Sequence, residues 1–187
     1  EEKMGIHGSA TCTLALGSNN KCIGYLLGEE QQGIEIMFHM MNEARLEVGI
    51  QGLSGASAAY QFAKSYAKER VQGSDIRRHR EENPPKVAII QHPDVRRMLM
   101  SQKVWVETMR SFVYTVASQI DLYHKVEDPI QKRTLKGQID LMTPIVKSYC
   151  SDKGFESSVL SLQTFGGYGY CSEYPVEQLV RDTKIAS

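Results

Sequence analysis

From Met37 to Tyr66 the chain reads MFHMMNEARLEVGIQGLSGASAAYQFAKSY, and Met37, Met41, Ala44, Val48, Gly52, Gly55, Ala59, Phe62 and Tyr66 recur in it at steps of three and four. That spacing predicts one long helix from about Gly33 to about Val71 with a single apolar stripe. Gly49, Gly52, Gly55 and Ala59 in its middle cost helix propensity, which makes sense where another backbone or a flat ligand comes close. Downstream, His92-Pro93-Asp94 opens a second long helix: proline suits a first turn, and Asp94 complements the positive end of the dipole. Its apolar face is Val95, Met98, Leu99, Trp105, Met109, Phe112, Val116, Ile120 and Tyr123. Asp128-Pro129 starts a third helix with Leu135, Ile139, Met142, Ile145, Val146 and Tyr149 on one stripe. A shorter fourth helix is expected from about Gly154 to Phe165, and Tyr174-Pro175 begins a last one through Val180 toward Ile185.

Before Gly33 the pattern is different. Thr11 to Leu16 and Cys22 to Leu27 are short apolar runs separated by Gly17-Ser18-Asn19-Asn20, which predicts two strands in a hairpin. Two strands cannot bury a face by themselves, so this stretch calls for a sheet lying upstream. Gln72 to Gln91 is polar, carries Arg77-Arg78-His79-Arg80 and Pro84-Pro85, and reads as a long loop whose basic run is either solvated or a phosphate contact. The fold class expected is all-α: an antiparallel up-and-down helical bundle over 34–187, with a short N-terminal β-hairpin within 1–33.

The charges narrow the function. Lys plus Arg total 22 and Asp plus Glu total 22, so no net field draws nucleic acid or an anionic membrane. No apolar run is long enough to span a bilayer, and the chain reads as soluble and intracellular. Cys12, Cys22, Cys150 and Cys171 lack C-x-x-C spacing, and the five histidines lack H-E-x-x-H spacing, so no metal site is expected. Gly52-Leu53-Ser54-Gly55-Ala56 breaks the G-x-S-x-G pattern and lies in a helix, against a serine hydrolase. Gly166-Gly167-Tyr168-Gly169-Tyr170 lacks the G-x-G-x-x-G order, against a Rossmann or P-loop site. The residues by themselves therefore support a helical bundle with a glycine-aromatic turn, equally an interaction module or a cofactor domain.

Several segments, in order over nearly the whole chain, resemble the acyl-CoA dehydrogenase family. Lys3-Met4-Gly5-Ile6-His7-Gly8-Ser9-Ala10-Thr11 is similar to the end of that family's middle β-domain, and Gly24 to Gly33 to its exit strand. Met41-Asn42-Glu43-Ala44-Arg45, running into Gly49 to Tyr60, resembles the first long helix of the C-terminal domain, followed by Tyr66-Ala67-Lys68-Glu69-Arg70-Val71-Gln72-Gly73. The most specific is Gln163-Thr164-Phe165-Gly166-Gly167-Tyr168-Gly169-Tyr170, continued by Tyr174-Pro175 through Ile185.

The resemblance implies that 1–33 is the tail of a middle β-domain and that the whole protein is a flavoprotein oxidising acyl-CoA thioesters to trans-2-enoyl-CoA. It implies FAD bound by Arg70, His92, Gln163, Gly166 and Gly167, partly across a subunit boundary, with Asn42 and Arg45 lining the acyl-CoA site. Phe38, Met40 and Met41 either line an acyl pocket or belong to the core. Further implied are a homodimer or homotetramer, electron-transfer flavoprotein as acceptor, and a bacterial cytoplasmic or mitochondrial matrix location.

There are departures. Val71-Gln72-Gly73 lacks the phenylalanine usual after the arginine matching Arg70, and His92 stands where the family often has glutamine. The family's base is a glutamate in a Tyr-Glu-Gly-Thr segment that follows a stretch like Arg181 to Ile185, whereas this sequence ends at Ser187. A minority place the base at the position of Ala44, which takes no proton, and Glu43 lies about 100° around the helix from it. No catalytic residue is assigned, and these residues alone are expected to be inactive. The alternatives are a non-catalytic helical oligomerisation or flavin-binding module, or a flavin-dependent oxidase or monooxygenase on the same scaffold.

Overall fold

The structure, a computed structural model, describes residues 1–78 and 80–187. His79, in the basic run, lies outside the described residues, as does the side chain of His39. Helices α1 (Gly33–Glu69), α2 (Pro93–Lys125) and α3 (Pro129–Phe165) form the body, and a short α4 (Val176–Thr183) closes it. Between α1 and α2 runs a ribbon of β1 (Val71–Ser74) and β2 (Lys86–Ala88).

The contacts fix the helix directions. Gly49 meets Val146, Gly52 meets Cys150, Ala56 meets Ser157 and Ala59 meets Ser161, so α1 and α3 run parallel. Lys153 sits over Trp105 while Gln119 reaches Gln138, so α2 runs antiparallel to α3. This is the up-down-up order that short connections give.

The face of α1 that packs on α3 is made of small residues: Gly49, Gly52, Ala56, Ala59, Ala63 and Ala67 are buried. A Cβ on Gly52 would strike the Cys150 carbonyl, and one on Gly154 would stand 2.7 Å from the Gly52 carbonyl oxygen. The glycines thus serve close backbone packing, which a side chain would prevent. Two fully buried serines of α3 add hydroxyl donors across the seam, Ser157 to the Ala56 carbonyl (3.5 Å) and Ser161 to the Ala59 carbonyl (2.9 Å). On the other side Val106, Met109, Val113 and Val116 of α2 join Ala56, Val146 and Cys150 in the main core.

Four expectations are corrected. The third and fourth helices are one: α3 is continuous from Pro129 to Phe165. The expected boundary between them fell just before Gly154, a poor helix former, but tertiary packing overrides propensity there, because that face needs small residues to approach α1. Consequently there are three long helices and a short one, rather than four and a short fifth.

The apolar stripes are also shifted. Phe62 of α1 and Ile145 of α3 are exposed, and α3 buries Thr143, Ser151, Ser157, Ser158 and Ser161 instead. Only part of each expected stripe faces the core.

The N-terminal hairpin does not form. The turn does, with the Asn20 N–H donating to the Gly17 carbonyl at 3.0 Å. Its flanks carry no strand, and Leu14, Leu16, Ile23, Tyr25 and Leu27 are exposed. Among the described residues no third surface covers these runs, so pairing them would do little to offset the loss of chain entropy.

A two-stranded sheet forms instead in the segment read as loop. Val71 pairs with Ala88 and Ser74 with Lys86, with an irregularity between them where Gly73 takes φ +71°. Strands of three and four residues carry too little alternation to be read from sequence.

Candidate cofactor cavity

Arg70, the residue after α1, is where the helix ends and the ribbon begins. Its N–H still donates to the Tyr66 carbonyl (2.9 Å), and its own carbonyl accepts from Ile89 N–H (2.8 Å), so its backbone is held from both sides. The side chain points to a cavity of about 360 Å³ at the meeting of the α1 C-terminus, the α2 N-terminus and the α3 C-terminus. Arg70, His92, Gln163 and Gly166 all line it. Four residues up to 96 positions apart are therefore gathered at one place; Gly167 is the next residue along the turn.

Arg70 has the chemistry of a cation awaiting a ligand. Its Nε is buried without a hydrogen-bond partner, and none of the ion pairs among the described residues includes it. A buried donor left unpaired costs about 1–3 kcal/mol, so an acceptor arriving in the cavity would recover that. The guanidinium carbon lies 5.4 Å from the Tyr168 ring centroid.

The wall beside it is aromatic. Tyr66 stacks on Phe165 at 4.1 Å and 15°, and Phe165 meets Tyr174 edge-on at 5.6 Å. Burial raises the pKa of the Tyr66 phenol, with the Arg70 charge acting against that rise. The phenol stays neutral through the physiological range.

His92 caps α2, its Nε2 standing 2.7 Å from the Gln72 carbonyl oxygen. A carbonyl only accepts, so Nε2 carries the proton and donates. The ring also rests against Gly73, where an added Cβ would stand 3.4 Å from it. His92 thus braces the ribbon as well as lining the cavity. Gly166 ends α3 at φ +61°, a left-handed conformation that suits glycine. A Cβ at Gly166 or Gly167 would meet nothing within 4 Å. At both, the backbone faces open space.

The other two candidates lie elsewhere. Arg45 Nη1 donates to Asn42 Oδ1 at 3.3 Å, and the Arg45 guanidinium lies 6.0 Å from the Phe38 ring. Asn42 also lines a separate cavity of about 470 Å³, shared with Glu43, Glu47, His124, Lys136 and Asp140. Phe38 and Met40 are 45% and 67% exposed, so neither belongs to the core. Arg45 and Arg70 are 25 positions apart on and just beyond α1, which along a helix is roughly 37 Å. One chain therefore keeps its two sets of candidate residues well apart, one in the first half of α1 and the other at its C-terminus.

Sequence reasoning did not find Tyr66, Gln72, Ile89 or Val95 as lining residues, or Tyr168 behind Arg70. Tyr66 had a usable signal, being one helical turn before Arg70. The ribbon residues had none. No group of three or more His, Cys, Asp or Glu suited to a metal is present among the described residues. No helix among them is long and apolar enough to cross a membrane.

Residues 31–187 match the family described as acyl-CoA dehydrogenase, C-terminal domain. The chain belongs to the acyl-CoA dehydrogenase family. It is 40% identical over 189 residues to the broad-specificity linear acyl-CoA dehydrogenase FadE5 of Mycobacterium tuberculosis, an alignment covering 100% of this chain and 31% of that protein. Among solved structures, butyryl-CoA dehydrogenase from Megasphaera elsdenii is similar at TM-score 0.66 and 28% identity, over 85% of this chain and 35% of that one. So is a structure described as the electron transferring flavoprotein of Acidaminococcus fermentans, at TM-score 0.67 and 26% identity, over 85% and 35%. The chain thus spans about a third of the length of the relatives it matches.

Proposed function

We propose that the chain is the C-terminal part of an FAD-dependent acyl-CoA dehydrogenase, with 34–187 its helical domain and 1–33 the tail of its middle β-domain. The observation that carries this reading is the unpaired, partly buried Arg70 in a cavity edged by Gln163 and Gly166. The residues fit a dinucleotide: a guanidinium fork matches pyrophosphate oxygens, and the open backbone at Gly166 and Gly167 lets a bulky ligand approach. Bound FAD would supply the hydride acceptor for α,β-dehydrogenation of an acyl-CoA thioester.

The chain's own residues then hold and orient. Arg70 would offset part of the pyrophosphate charge, Gln163 and the Gly166-Gly167 backbone would help to hold it, and His92 lines the cavity while bracing the ribbon. Asn42 and Arg45, joined by the hydrogen bond that Arg45 donates, would line the acyl-CoA site. They lie roughly 37 Å from Arg70 along the helix, and on this reading the cofactor held at Arg70 would serve the substrate site of another copy. A homodimer or homotetramer is part of the same reading. None of the 187 residues is assigned as the base.

Electron-transfer flavoprotein is the acceptor this reading names, supported by the structural likeness to the Acidaminococcus structure. A bacterial cytoplasmic or mitochondrial matrix location is part of the same reading. The test is anaerobic addition of butyryl-CoA and longer acyl-CoAs to the full-length, flavin-loaded protein. Bleaching of the flavin absorbance supports a dehydrogenase; bound flavin that no acyl-CoA bleaches indicates a non-catalytic flavin-binding module.

A further inference from the structure

We propose that Tyr168 is a positioning residue for the cofactor pyrophosphate, acting through Arg70 and not by touching the ligand. This rests on the flavin reading above. Tyr168 does not line the cavity; its ring lies on the side of the Arg70 guanidinium, 5.4 Å from ring centroid to guanidinium carbon. A guanidinium attracted to an aromatic ring, which accepts no conventional hydrogen bond from it, keeps N–H groups free for a forked contact with phosphate oxygens. With no carboxylate paired to Arg70 among the described residues, the Tyr168 ring is a contact that can restrain the end of this side chain.

The ring is itself held in place. Tyr168 packs against Tyr174 at 5.3 Å, and Tyr174 in turn leans on Phe165. The backbone turn beneath it is pinned because Gly169 lies so close to the Leu162 carbonyl that no Cβ fits. The Cys171 N–H donates to the Tyr168 carbonyl at 3.1 Å, closing the turn. The turn after α3 therefore delivers an aromatic platform to the arginine that ends α1, which restrains a long side chain before the ligand arrives and lowers the ordering cost on binding.

The experiment uses the full-length apoprotein, titrated with FAD by quenching of flavin fluorescence and with ADP by calorimetry, ADP carrying the pyrophosphate without the flavin ring. Tyr168→Leu is expected to weaken both ligands by about tenfold, and Tyr168→Phe, which keeps the ring, to leave both within about twofold of wild type. In an Arg70→Ala background, Tyr168→Leu is expected to cause no further loss, since its partner is gone. The proposal is overturned if Tyr168→Leu binds FAD as tightly as wild type, or if it weakens binding by the same factor with and without Arg70. Wild-type protein that takes up neither FAD nor ADP overturns the flavin reading itself.

Discussion

The backbone N–H of Ile6 donates to the Asp182 carboxylate at 2.7 Å, joining the start of the chain to the end of α4. Ile6 stands at φ +49°, a costly conformation for a β-branched residue that persists only where the surroundings enforce it. Those surroundings are visible: a Cβ on Gly5 would lie 2.6 Å from the Arg181 carbonyl oxygen, and Arg181 Nη1 donates to the Met4 carbonyl at 3.0 Å. Asp182→Ala should therefore lower unfolding stability by about 1–3 kcal/mol, by leaving a partly buried N–H unpaired. Denaturant melts of the two proteins measure this; equal midpoints would mean that the Ile6 conformation does not depend on Asp182.

The same clasp depends on pH. Hydrogen bonds from Arg181 hold the Glu177 carboxyl below its ordinary pKa. A carboxyl lowered on folding contributes stability above its unfolded pKa, and that contribution is lost as pH falls through the lowered, folded value. Between pH 6 and pH 3 the thermal midpoint of wild type should fall more steeply than that of Glu177→Gln. Parallel curves would show that the pair adds nothing measurable.

Glycine to alanine should have opposite signs at two places on α3. At Gly154 the new methyl would meet the Gly52 backbone, forcing the helices apart at a cost of about 1–3 kcal/mol. At Gly137 nothing lies within 4 Å, so alanine should stabilise by about 0.5–1 kcal/mol through helix propensity. Chemical denaturation of both variants checks the pair, and a neutral Gly154→Ala would contradict the close crossing.

Burial pushes the Cys150 thiol up to about 11 and shields it, while Cys12, Cys22 and Cys171 are exposed. Iodoacetamide at pH 8 should modify those three in the native protein and reach Cys150 only after denaturant is added. Mass spectrometry of the labelled peptides reads the result. Native labelling of Cys150 would mean that the α1 and α3 seam opens readily.

The long helices were legible from sequence because their caps and period agree: Pro93 with Asp94, and Asp128 with Pro129, mark the starts of α2 and α3. What misled was the use of small residues. Gly154 read as the start of a separate helix, yet the smallness of Gly154, Ser157 and Ser161 is what lets α3 lie on α1, and no local propensity reports a partner's proximity. The hairpin at Thr11 to Leu27 failed for the converse reason, since its apolar runs and turn are there but nothing among the described residues covers them. As for the cavity, the Gln163 to Gly167 turn and Arg70 could be singled out by their resemblance to a known motif. Tyr168 behind the guanidinium and His92 on the Gln72 carbonyl depend on a three-dimensional meeting that the order of residues does not reveal.

The most direct test of the central claim, that the cavity at Arg70 holds the FAD pyrophosphate, is the FAD dissociation constant of the full-length protein compared with its Arg70→Ala variant. Losing a charge-assisted contact of about 1.5–3 kcal/mol should weaken binding by roughly ten- to a hundredfold while the apoprotein keeps its thermal midpoint. Unchanged FAD affinity in Arg70→Ala would contradict the account and leave the cavity without its proposed ligand.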